Sequence, residues 1–167
     1  MRYPNGQWLP GPPESVWPDC NKCSGAVLHS AEGSWYGLQH QLVGGNVSWH
    51  FSVLQDGRVF QHYELDASCW HAGSRAANAT LIGIEHEGGG PNNPSEPLTP
   101  LQLAASVTLV GWLASQFGWR MERGVTLFEH NELTNTRCPS GRIPWERYMF
   151  KPETLDRESA LNAFVSA

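Results

Sequence analysis

For its length the chain carries little charge and little sulfur. Charged residues make up 16% of the 167 positions, and the formal net charge is −5. An acidic balance without a basic stripe argues against a nucleic-acid partner, whose phosphates call for clustered Lys and Arg. No block of like charges offers a binding tail. Four cysteines are too few to staple a chain of this size with disulfides. No stretch of about 18 apolar residues occurs, so no membrane span is expected. The opening Met-Arg-Tyr-Pro-Asn-Gly-Gln-Trp has no apolar h-region, so the expectation is a protein made in the cytoplasm without a signal peptide.

What is present is a globular composition, 40% hydrophobic, long enough for one domain with a sizeable core. Eight tryptophans read either as core and anchoring aromatics or as the walls of a groove for carbohydrate or peptide. Residues 1–24, with Pro10, Gly11, Pro12 and Pro13 in succession, read as an extended arm. Residues 25–150 read as the main domain, and 151–167 as a C-terminal helix whose pattern covers Pro152 to Val165. Strands are expected at Ala26–His29, Trp49–Leu54, Arg58–His62, Leu81–Glu87 and Val125–Phe128. Asp56-Gly57 marks a hairpin. Helices are expected over Gly33–Val43 and Thr99–Phe117, and a helical turn over Trp145–Phe150. In the longer helix Thr99 is the N-cap, Pro100 the first helical residue, and Gln102 the partner in a capping box. Its apolar positions cover more than one stripe, so heavy burial is expected. The fold class is therefore α/β with a central mixed β-sheet flanked by α-helices.

The segment Glu129–Cys138 draws attention for its chemistry. It runs from the end of a strand into a loop and carries His130 and Cys138, donors that suit Zn²⁺, with the Thr136 hydroxyl between them. A catalytic zinc takes three protein ligands and keeps a fourth position open. Of the seven histidines, His29 is the best third ligand on local grounds, because it ends a strand. His50 and His86 read as inward-facing, His40 and His62 as surface. Cys20 and Cys23 form a Cys-x-x-Cys without a second pair or a redox βαβ context. They read as thiols that fix or underlie the arm, and Cys69 as buried.

Val-Leu-His-Ser (27–30), Trp-His-Phe-Ser-Val (49–53) with Asp56-Gly57, Cys-Trp-His-Ala-Gly (69–73), Ile-Gly-Ile-Glu (82–85), and His130 with Cys138-Pro139 together resemble the zinc N-acetylmuramoyl-L-alanine amidases of the amidase-2 group. That group includes phage endolysins and peptidoglycan recognition proteins. The resemblance implies that residues 25–150 are the catalytic domain and that His29, His130 and Cys138 hold one Zn²⁺ in a groove beside the sheet. It implies Glu85 as general base, with Glu87 on the same strand face as the competing carboxylate. Thr136 stands where several relatives have lysine, so a hydroxyl would face the developing oxyanion without a charge. Trp49 stands where many relatives have tyrosine and is expected as a groove wall. His71 resembles the family's substrate-facing histidine, with a structural hydrogen bond as the other reading.

The activity implied is hydrolysis of the amide between the lactyl group of N-acetylmuramic acid and the L-alanine of peptidoglycan stem peptides. The implied partner is peptidoglycan or a muropeptide, bound by a monomer. A phage-type endolysin would reach the cell wall after holin release or host lysis. The alternatives within the resemblance are a non-catalytic peptidoglycan-binding module, in which the cysteine ligand is typically replaced, and a cytoplasmic cell-wall recycling amidase.

Overall fold

The computed structural model describes residues 1–17 and 20–149. The apolar run ahead of His29 forms β3 (Gly25–Ser30), with all six residues buried. A strand buried on both faces belongs inside a sheet. β3 accordingly lies between β7 (Leu81–His86) and β8 (Leu127–Glu129), parallel to both. On the far side of β7, β4 (Phe51–Val53) is also parallel to it. The chain reverses through Asp56-Gly57 into β5 (Val59–Gln61), antiparallel to β4. Gly57 has a φ of +86°, a left-handed value that a side chain would resist. β1 (Gln7–Trp8) joins the outer edge of β5 in parallel. The order β1-β5-β4-β7-β3-β8 is the expected mixed sheet. A separate antiparallel ladder pairs β2 (Val16–Trp17) with β6 (Ser68–Cys69). β1, β2, β6 and the short helix α2 (Arg75–Asn78) are not expected from the sequence, because elements of two to four residues carry no periodicity to read.

Helices α1 (Trp35–Val43) and α3 (Pro100–Phe117) flank the sheet. α3 starts at its Thr99 cap and stops at Gly118, whose φ is +68°. Two expectations for this helix need correction. Its burial is one-sided: Leu109, Val110 and Leu113 are inaccessible, while Leu101 is 64% exposed. The capping box is only half formed. Gln102 N–H donates to Thr99 Oγ1, but its side-chain amide turns inward and donates to the carbonyls of Val53 and Glu87 at 2.8 and 2.9 Å. Two strand-end carbonyls inside the fold outcompete one N-cap amide that water can satisfy.

α4 (Trp145–Tyr148) is shorter than the expected turn. The helix expected over Pro152–Val165, like Phe150, lies outside the described residues. Among the described residues no helix is long and apolar enough to cross a membrane.

Side chains alternate across a strand, and this sorts the chemistry. Ala26, Leu28, Ile82, Ile84 and Leu127 join Leu109, Val110, Leu113 and Tyr148 in the main core. The alternate positions, His29 and its register partner Glu85, point to the other face. Parallel register at the carboxyl ends of β3 and β7 thus sets an imidazole beside a carboxylate.

Candidate metal centre

β3, β7 and β8 run parallel and end on the same side of the sheet, and ligand sites form beyond the carboxyl ends of such strands. His29 is the penultimate residue of β3, and His130 directly follows β8. One donor atom from each of His29, His130 and Cys138 lies within 4.8 Å of the others. His29 Nδ1 stands 3.8 Å from Cys138 Sγ.

Local structure holds each donor. His130 opens a 3₁₀ turn closed by a reciprocal capping box between Glu129 and Glu132. Glu129 is buried, accepts the Trp145 indole N–H at 2.8 Å, and faces the Arg123 guanidinium at 3.5 Å. Cys138 Sγ accepts the Ser30 amide at 3.1 Å, and Cys138 N–H donates to Thr136 Oγ1 at 3.3 Å.

Hydrogen-bond polarity fixes which nitrogen of His29 is bare. The Leu81 carbonyl can only accept, so His71 Nε2, 3.1 Å away, carries the proton. His71 Nδ1 is then an acceptor, and His29 Nε2 donates to it at 3.1 Å. The lone pair of His29 is left on Nδ1, the atom facing Cys138. Gly83 makes this chain possible, because a Cβ there would meet His71 Cγ at 2.6 Å. On the core side His86 Nδ1 donates to the His29 carbonyl at 2.8 Å. Its Nε2 accepts from Ser106 Oγ at 2.7 Å, and Ser106 Oγ accepts from the Tyr148 hydroxyl at 2.8 Å.

The electrostatics suit ligation. Burial first, and then the neighbouring His71, His130 and His86, hold His29 well below the ordinary imidazole range. Burial also lowers His130 and, with His50, takes His71 to about 3. Neutral imidazole is the form that binds metal. Burial, Glu85 and Glu32 push the Cys138 thiol up, so it ionises when a cation displaces its proton. The Nε2 atom of His130 is buried without a hydrogen-bond partner among the described residues. Two neutral imidazoles, one of them with an orphaned buried nitrogen, and one thiol fit a metal ion of borderline softness.

Glu85 adjoins this triad. Its Oε1 is 3.8 Å from His29 Nδ1, its side chain is 15% exposed, and its Oε2 is buried without a partner among the described residues. Burial, reinforced by Glu32 and opposed by Arg142, raises its pKa to about 8. Arg142 is 3% exposed and was not singled out in the sequence, where a lone arginine in a Ser-Gly-Arg loop carries no local pattern. It donates to Ser30 Oγ at 2.8 Å and to the carbonyls of Glu96, Glu87 and His86 at 2.6, 2.8 and 3.2 Å. All four acceptors are uncharged.

The other expected residues fall as follows. Glu87 accepts the amides of Trp35 and Gln55 at 2.7 and 3.0 Å, so both its oxygens brace loops. Thr136 sits in the turn before Cys138. Both ring nitrogens of His71 are engaged within the protein, the structural hydrogen bond of the two readings, although the ring also borders a groove.

Trp49 corrects an expectation. It is 2% exposed and donates its indole N–H to Ser52 Oγ at 2.8 Å, so it is a core residue and walls no groove. His62, expected at the surface, is 1% exposed, because the arm folds over it. Its Nε2 accepts from Ser52 Oγ at 2.8 Å, and its Nδ1 donates to the Leu9 carbonyl at 2.7 Å. His50 and His86 are buried and His40 is exposed, as expected. Cys20 is exposed. Cys23 is buried, with its thiol 3.2 Å from the Leu65 carbonyl, and Cys69 is buried.

Known proteins agree with this architecture. LysC, an N-acetylmuramoyl-L-alanine amidase from Clostridium intestinale URNW, aligns over 97% of this chain and 95% of its own, at 21% identity and a TM-score of 0.57. A mutant endolysin from Bacillus subtilis aligns over 85% and 94%, at 19% identity and a TM-score of 0.67. A selenomethionine derivative of AmpD aligns over 88% and 94%, at 20% identity and a TM-score of 0.68. At these identities the likeness establishes a shared fold. No curated protein sequence matches the chain. The sequence profile of the N-acetylmuramoyl-L-alanine amidase family, amidase-2, matches residues 19–141, and with that span the chain belongs to this family.

Proposed function

We propose that the chain is a zinc-dependent hydrolase of the endolysin kind. Its substrate is the amide between the lactyl group of N-acetylmuramic acid and the L-alanine of a peptidoglycan stem peptide. The observation that carries the reading is the convergence of His29, His130 and Cys138 within 4.8 Å, with Glu85 in register beside His29.

When bound, zinc supplies a Lewis acid and brings the pKa of water towards neutrality. His29, through Nδ1, His130 and Cys138 would hold it. Glu85 receives a proton from the attacking water and returns it to the leaving amine, a role for which a carboxylate titrating near neutrality is suited. The Thr136 hydroxyl accepts from Cys138 N–H and retains its own proton to donate towards the oxyanion. His71 keeps His29 in the ligating tautomer.

The test is hydrolysis of purified sacculi with chelator, without it, and after zinc add-back, read as new L-alanine amino termini. Failure of zinc-loaded protein to release them would overturn the reading. The Cys138→Ala variant should lose stoichiometric zinc and activity together, and retained zinc would remove Cys138 from the ligand set. Cleavage confined to soluble muropeptides would point to a recycling amidase.

A further inference from the structure

Arg142 follows Cys138 on the loop that leads to α4, and the reaction described above gives it no part. Its guanidinium nonetheless reaches the ends of both strands that carry the site. One bond goes to Ser30 Oγ, on the residue after His29, at 2.8 Å. Another goes to the carbonyl of His86, the residue after Glu85, at 3.2 Å. Ser30 and His86 are register partners at the close of β3 and β7. Bonds to the carbonyls of Glu87 at 2.8 Å and Glu96 at 2.6 Å carry the clamp into the loop ahead of α3.

The backbone makes room for this side chain. Gly88 and Gly89 hold φ values of +98° and +67°, which side chains resist. A Cβ on Gly88 would meet Arg142 Nη2 at 2.8 Å. One on Gly89 would meet Ser30 Oγ at 2.6 Å and Arg142 Cδ at 2.9 Å. Two consecutive glycines are thus fitted around one arginine and its hydroxyl partner.

Cys138 shares these contacts. Its Sγ accepts the Ser30 amide at 3.1 Å, so the residue that takes Arg142 on its hydroxyl also meets a metal donor through its backbone. The Cys138 carbonyl accepts the Asn131 amide at 2.9 Å, beside His130. Arg142 N–H donates to the Pro139 carbonyl at 3.2 Å, which turns the short loop between cysteine and arginine. One side chain therefore ties the Cys138 loop to β3 and β7 at the level of His29 and Glu85. A planar fork of five N–H groups suits acceptors spread over three segments, whereas an ammonium presents three from a single atom.

Resting on the zinc reading above, we infer that Arg142 is a positioning residue for the metal centre. It acts through Ser30 and the strand ends, and it sets where the Cys138 thiol stands relative to His29 and Glu85.

The experiment strips the protein with chelator and titrates it with zinc against a chromophoric competitor. A parallel titration uses cobalt, whose thiolate charge-transfer absorption reports Cys138 in the coordination sphere. Arg142→Lys keeps the charge and loses the fork. It should bind zinc about 10- to 100-fold more weakly, with a weakened charge-transfer band. Ser30→Ala removes one of the four bonds and should move both readouts the same way by a smaller amount. Urea midpoints define conditions in which each variant is folded. An arginine that serves stability alone would lower those midpoints and leave zinc affinity and the cobalt band of the folded variants as in the native protein. That result overturns the positioning role and leaves the zinc reading standing. Native protein that takes up no zinc overturns both.

Discussion

His71 Nδ1 accepts the Nε2 proton of His29 at 3.1 Å, and this one bond decides which face of the His29 imidazole is a Lewis base. The tautomer is set two bonds away, by a carbonyl of β7 that can only accept. Replacing His71 with Phe removes the acceptor and frees His29 to carry its proton on either nitrogen. Metal affinity should fall by roughly 10- to 100-fold, the usual effect of losing an outer partner of a ligating histidine. Competition with a chromophoric zinc chelator measures it, and unchanged affinity would show that His29 needs no such lock.

The two carboxylates near the end of β7 should separate cleanly. Glu85→Gln should keep its zinc and lose about 10²- to 10⁴-fold in kcat, the usual range for a positioned proton carrier. Glu87→Gln should act on stability, because the Glu87 oxygens accept two backbone amides. One oxygen becomes a donor group facing an N–H, at a cost of about 1–3 kcal/mol. Steady-state kinetics and urea midpoints on both variants decide the assignment. A large kcat loss confined to Glu87→Gln would reverse the roles.

Acid should unfold this protein through its interior histidines. His62 and His50 are buried, and desolvation takes each to about 4 in the fold, against about 6.5 in an unfolded chain. Between those values the unfolded state binds more protons. Stability is therefore complete above pH 6.5 and declines as pH falls towards 4, by about 2 kcal/mol per histidine at pH 5. Protonation of His62 Nε2 also ends its acceptance from Ser52, itself the acceptor for Trp49. Urea midpoints at pH 7.5 and 5 should differ markedly, and less so in His62→Gln. An equal difference in that variant would exclude His62 as a source.

Arg142→Met should destabilise the fold by about 1–3 kcal/mol, because it removes four hydrogen bonds, two of them buried and two partly buried, and leaves the Glu96 carbonyl without its donor. Arg142→Lys should recover less than half, since one ammonium cannot span Ser30, His86, Glu87 and Glu96. Denaturant midpoints test this, and full recovery by lysine would show that charge matters here more than the fork.

The sequence made some of this legible and hid the rest for physical reasons. β3, β7 and α3 were readable because their burial is continuous or periodic over six or more residues. His130 and Cys138 stood out as donors close together in the chain, whereas His29 gained weight only from ending a strand. Trp49 was misread because its role was taken from the tyrosine of relatives. It lies just ahead of β4 and is buried by its contact with Ser52 and the His62 it packs against, partners that the chain alone does not announce. His62 was misplaced because the arm that covers it is joined by pairings far apart in sequence. Arg142 and the capping of Glu129 by Glu132 depend on tertiary acceptors and on a short 3₁₀ turn, and neither leaves a local pattern.

The arm also closes one edge of the sheet. β1 pairs with β5, and the pairing continues through Leu9 N–H to the Gln61 carbonyl and Gly11 N–H to the His62 carbonyl. Without those residues β5 would present a bare row of amides and carbonyls, the template on which strands of separate molecules add to one another. A version trimmed to the family-matched span should keep its donor triad and gain a sticky edge, so the proline-rich arm would guard against self-association as well as cover His62.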